Sequence, residues 1–145
     1  MIARRFIRAN LRYRRGAAAV EFALVAPVFF ILLFGLIEYG RAVMVQQILT
    51  NAAREGGRVA ILTTATSTSV KSAVTTYLTN AGISGATPTV SPDPATATSG
   101  QTITVQVTVP FTSVSWLPTP QWLGSKTLKA VSAMRTESTA SSSGS

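Results

Sequence analysis

The pair with the clearest chemical potential is Gly16 and, five residues later, Glu21. Glu21 is the only charge between Ala17 and Ile37, a run that is otherwise apolar or small. A charged side chain inside a membrane span costs a few kcal/mol on insertion scales, and such residues are as a rule functional and partnered. Glycine lacks a Cβ, so a second backbone can come close to it. Other chemistry is excluded by residue type. The chain has no histidine and no cysteine, which removes disulfides, Cys/His zinc sites, thiol nucleophiles and histidine bases. Its five acids, Glu21, Glu38, Glu55, Asp93 and Glu137, form no pair at motif spacing. Neither a phosphate loop nor Ser-x-x-Lys with its companion motifs occurs. The expectation is a protein that is not an enzyme and carries no cofactor or metal.

The element that must position Glu21 is the apolar run itself. As a helix, its 21 residues span about 32 Å at about 1.5 Å each, the hydrocarbon thickness of a bilayer. A soluble core helix of that length would carry a polar stripe, and none lies between Phe22 and Ile37. Arg4, Arg5, Arg8, Arg12, Arg14 and Arg15 precede the run, and only Arg41 follows closely. Positive charge stays cytoplasmic, so the N-terminus is read as inside and residues beyond about 40 as outside. Those arginines also explain the net charge of +8: thirteen basic residues less six leaves seven against five acids, a net of +2. The basicity is local to the leader, so nucleic acid is not an expected partner. Pro27 within the span reads either as a simple kink or as a place where the helix loosens on leaving lipid. A secretory signal fits poorly, because the small residues precede the apolar stretch and Glu38-Tyr39-Gly40-Arg41 follows it.

Basic leader, Gly16, four residues, Glu21, Phe22 and an apolar helix together resemble a class IV prepilin processing site. With "VEFALVAP", "IEYGR" and "AAREGGRVA", the stretch from Gly16 to Leu62 resembles the TadE-like pseudopilins of the tight-adherence (Tad/Flp, type IVb) pilus system. The resemblance implies cleavage between Gly16 and Ala17 by a prepilin peptidase. Removing 16 of 145 residues leaves 129, with Glu21 as the fifth mature residue and Phe22 beside it as assembly residues. It implies further partners: other pilin and pseudopilin subunits, an inner-membrane assembly platform and membrane lipid. Cleavage would create an α-ammonium at Ala17. Glu21 then pairs either with a neighbour's ammonium or with its own chain's, four residues away on the helix. The alternative is an interfacial Glu21 of no special role. The major Flp-type pilins are much shorter, so the length points to a minor pseudopilin.

Beyond the span the helix is expected to continue, with Val45, Ile48, Leu49 and Ala52 on one face, and to end or loosen near Gly56-Gly57. Arg54, Glu55 and Arg58 read as a solvated cluster or a subunit contact. Residues 63–69 read as a linker. Val70, Val74, Tyr77, Leu78 and Ala81 mark one face of a helix over 69–81, stopped by Gly82. Strands are expected at 87–91, at "QTITVQVTVPF" and at 126–137, with a turn-rich loop over 91–100 and a disordered tail over 138–145. Phe111, Trp116 and Trp122 read as loop core, as an interfacial belt or as a docking patch. The expected architecture is α+β. A leader (1–16) and a long transmembrane helix that extends outward (17–62) precede a small exported domain (63–137) with one short helix and an antiparallel sheet of about three strands. The expected function is a minor pseudopilin in assembly of a Tad/Flp adhesion pilus, single-pass in the inner membrane with its C-terminal domain periplasmic or extracellular. The alternatives are an unprocessed envelope anchor with a binding domain, or a TadF- or TadG-like relative.

Overall fold

The computed structural model describes residues 3–116 and 126–136, with side chains from Gly16 onward. Trp122, Glu137, the 138–145 tail and the leader side chains lie outside that description. Helix α1 runs Ala3–Ala60 and helix α2 Ser67–Asn80. Strands β1 (Thr87–Ser91), β2 (Thr102–Pro110) and β3 (Thr127–Arg135) follow, with single 3-10 turns at Pro94–Thr96 and Phe111–Ser113. Among the described residues the strands form one antiparallel sheet in the order β1-β2-β3, which makes the fold α+β.

The chain divides into two compact units, Met1–Tyr39 and Gly40–Ser145. In the first, α1 exposes its large apolar side chains from Val20 through Ile37. This is a helix long and apolar enough to cross a membrane. The helix passes Pro27 without ending.

In the second unit the strict alternation of β2 sets the core. Ile103, Val105, Val107 and Val109 are fully buried, while Thr104, Gln106 and Thr108 are half-buried on the other face. Register carries that pattern across the sheet: Val105 stands opposite Val90 and Ser132, and Val107 opposite Pro88 and Ala130. Val45, Leu49, Ala52 and Ala53 of α1 and Val70, Val74 and Leu78 of α2 join the same core. Ile48, expected on that face, is only partly buried. Tyr77, assigned to the core face of α2 from its spacing, is exposed, and Ala81 is the C-cap rather than a helical residue.

One expectation is corrected here. Residues 63–69 are not all linker, because α2 starts at Ser67 with Thr66 as its N-cap. The Ser69 amide donates to Thr66 Oγ1 at 3.1 Å, and the Thr66 amide donates to Ser69 Oγ at 3.0 Å. This capping box satisfies two backbone donors reciprocally and fixes the start. Helix α1 ends at Ala60, three residues past Gly57, in line with an end near the Gly56-Gly57 pair. The two glycines themselves stay helical, and their missing Cβ atoms serve packing: a Cβ on Gly56 would lie 2.5 Å from Val74 Cγ2 and 3.0 Å from Val105 Cγ1. Gly57 stands in the same relation to Ser132 and Met134. Gly82 does act as a stop. Its φ of 72° closes α2 while the amides of Gly82 and Ile83 donate to the carbonyls of Thr79 and Leu78.

Within the 91–100 loop, Asp93 Oδ1 accepts from the amides of Ala95 and Ser67, both at 3.1 Å. The Ala95 amide, helped by Ser67 and the Lys71 cation, holds this carboxyl below the usual aspartate range. A depressed carboxyl contributes stability above its unfolded pKa, near 3.9, and loses it as pH falls through the lower folded value. Asp93→Ala is therefore expected to lower the melting temperature at pH 7, with the gap to wild type narrowing below about pH 4. Melting curves of the full chain in detergent across that range check it. A gap independent of pH would show that the carboxylate charge plays no part.

Candidate functional site

α1 carries all four residues expected at the processing and assembly site. Gly16, Ala17, Glu21 and Phe22 lie in continuous helix and are exposed. The Gly16–Ala17 peptide bond is thus inside a helix that begins at Ala3. Gly16 has no left-handed backbone to demand glycine, and a Cβ placed on it would meet nothing within 4 Å. Glycine in a helix interior costs roughly 1 kcal/mol against alanine, so the fold itself gives no reason for it. Gly35 and Gly40 are equally open. What distinguishes Gly16 is its place between the last leader arginine and the apolar run, five residues ahead of Glu21.

Ala17 and Glu21 are four residues apart in the helix and so share a face. Val25 and Val28 continue that face, both exposed. Among the described residues Glu21 has no hydrogen bond or ion pair, and its side chain is open to a partner from outside. Phe22 stands next to it, 71% exposed.

The Glu55–Arg58 cluster is a local pair. Arg58 Nε and Nη2 donate to Glu55 Oε2 and Oε1 at 3.1 and 2.7 Å. The Arg58 hydrogen bond holds the Glu55 carboxyl below its usual range. Both side chains reach solvent, where such pairs contribute little to stability. Arg54 is exposed.

Two features were not singled out from the sequence. Glu38 is 7% exposed, and among the described residues neither carboxylate oxygen has a hydrogen-bond partner. A buried polar group left unpaired costs about 1–3 kcal/mol, so Glu38 as placed does not stabilise the lone chain. Its one sequence signal is its place at the end of the apolar run. The second feature is Arg41, whose Nε donates to the Val114 carbonyl at 3.1 Å while its guanidinium lies 4.8 Å from the Trp116 ring centroid. Of the aromatic loop, Phe111 is core and Trp116 is not.

The family model described as TadE-like protein matches residues 16–58. The match begins at Gly16, includes Glu21, Glu38 and Arg41, and ends just past Gly56-Gly57. It covers 43 residues, counted from 16 through 58, under a third of the chain. It associates the chain with the Tad pilus system and with pilus-system partners in general. No curated protein and no solved structure matched the chain.

Proposed function

We propose that this chain, TadE-like over residues 16–58, is a minor pseudopilin that a prepilin peptidase processes and that acts in assembly of a Tad/Flp-type adhesion pilus. The observation that carries the reading is the open Gly16 five residues ahead of a Glu21 without a partner among the described residues, on an apolar helix. Before processing, the leader arginines hold the N-terminus in the cytoplasm and the Gly40–Ser145 unit is exported across the inner membrane.

Hydrolysis adds water across the Gly16–Ala17 bond, leaving a carboxylate on Gly16 and an ammonium on Ala17. Because that bond is helical, the helix must open locally for a protease to reach it. A glycine lowers the cost of opening and leaves room for the enzyme's backbone. The new helix starts at Ala17, with the amides of its first turn unsatisfied and a positive charge one turn from Glu21. That charge is a partner for Glu21, whether it comes from the same chain or from the next subunit.

Gly16→Leu tests the reading. A branched side chain at the cleavage position should leave the full-length protein uncut in cells that process wild type. Helix formation and membrane insertion should be unaffected, since the space around Gly16 is empty. Normal processing of this variant would overturn the site.

A further inference from the structure

We infer that Arg41 and Trp116 form a lipid-headgroup contact that seats the segment 111–116 on the outer face of the membrane. The inference rests on α1 spanning the bilayer through Ala17–Ile37 and not on the pilus role. Arg41 comes four residues after Ile37 in the same helix. A rise of about 1.5 Å per residue brings it to headgroup depth once the apolar run fills the hydrocarbon. The chain then brings Trp116 to the same place from 75 residues away, counted from 41 to 116, and lays it against the guanidinium.

Two details specify the partner. Trp116 is 69% exposed, although Phe111 and Val114 in the same segment are buried. A large aromatic beside a core is thus left outside it. An indole with an apolar body and a polar N–H suits the headgroup layer, where tryptophan is enriched. The guanidinium has five N–H donors. Among the described residues Nε is engaged by Val114 O, and Nη1 faces the Met44 sulfur at 3.7 Å. The remaining donors match the oxygens of a lipid phosphate. The Arg41–Val114 bond also fixes the height of residues 111–116 at Arg41, so the cation and the indole meet the surface together.

The full chain with Trp122→Phe retains Trp116 as its single tryptophan. It is reconstituted in vesicles of phosphatidylethanolamine and phosphatidylglycerol containing brominated lipid. Trp116 should be quenched roughly twofold more by bromine near the glycerol than by bromine at the chain ends, the depth of an interfacial belt. Arg41→Gln should reduce that quenching and open Trp116 to aqueous iodide. Quenching by iodide but not by bromolipid in the parent overturns the inference in favour of a solvated loop. Shielding from both overturns it in favour of a protein partner. A Phe30→Trp probe in a Trp116→Phe, Trp122→Phe background should be quenched most by chain-end bromine. If it is not, the span itself is refuted and the headgroup contact falls with it. If it is, while Trp116 is unquenched, only the headgroup contact is refuted.

Discussion

Gly56→Leu is expected to abolish the cooperative folding of the Gly40–Ser145 unit. A Cβ at this position already falls 2.5 Å from Val74 Cγ2 and 3.0 Å from Val105 Cγ1, and Val70 Cγ1 is 3.6 Å away. All three valines are fully buried and sit on two different elements, α2 and β2. Close-packed interiors leave such side chains little room to turn away. Overpacking a close-packed core costs typically 1–3 kcal/mol and sometimes more, and leucine adds three further carbons beyond the Cβ. The helix propensity gained on replacing glycine is about 1 kcal/mol, too small to compensate. Gly56→Ala should therefore lose about 1–2 kcal/mol, the clash outweighing the propensity gain. Gly40→Ala, where a Cβ meets nothing within 4 Å, should be neutral or slightly stabilising. Denaturant unfolding of the full chain in detergent separates these. A Gly56→Leu protein with the wild-type midpoint would mean that α1 does not approach α2 and β2 as closely as described.

Glu21→Gln is expected to abolish association with other pilin subunits while leaving cleavage intact. The substitution keeps the shape of the side chain and removes its charge. Insertion should not suffer, because a neutral amide is cheaper than a carboxylate in lipid. In the precursor Glu21 has no protein partner among the described residues, so the precursor loses nothing. After processing, an Ala17 ammonium in a protein environment would face an amide instead of a carboxylate. Removing one member of a desolvated ion pair costs 3–5 kcal/mol, enough at about 1.4 kcal/mol per decade to weaken association by roughly a hundredfold or more. Cleavage and co-purification are scored separately. Wild-type pilus assembly by Glu21→Gln would return the carboxylate to an ordinary interfacial residue.

Much of the fold was legible because local periodicity and core position coincide. The β2 alternation needed only period two to give the four residues that are fully buried. The stop at Gly82 was legible because φ of 72° is a demand on a single residue. Gly56-Gly57 was ambiguous for a physical reason. A missing Cβ permits both a break and a close approach, and the sequence does not show that Val74 and Val105 lie opposite. The linker assignment failed at Thr66 in a similar way, since a Thr/Ser-rich stretch serves equally as loop and as cap. Tyr77 has helical spacing but is exposed, since a tyrosine at the edge of an apolar face can turn its polar end to water. At the candidate site, Gly16, Ala17, Glu21 and Phe22 were legible as a linear pattern because they belong to one helix. Arg41 with Trp116 was not, since a contact across 75 positions leaves no local signal. The unpaired burial of Glu38 is likewise a property of the folded chain and not of its neighbours in sequence.

The most direct measurement is the N-terminal residue and intact mass of the protein recovered from cells with a functional prepilin peptidase. Cleavage at Gly16 predicts a chain that begins at Ala17 and contains 129 residues, the 145 less the first 16. A mature protein that begins at Met1, or at any residue after Ile37, contradicts it.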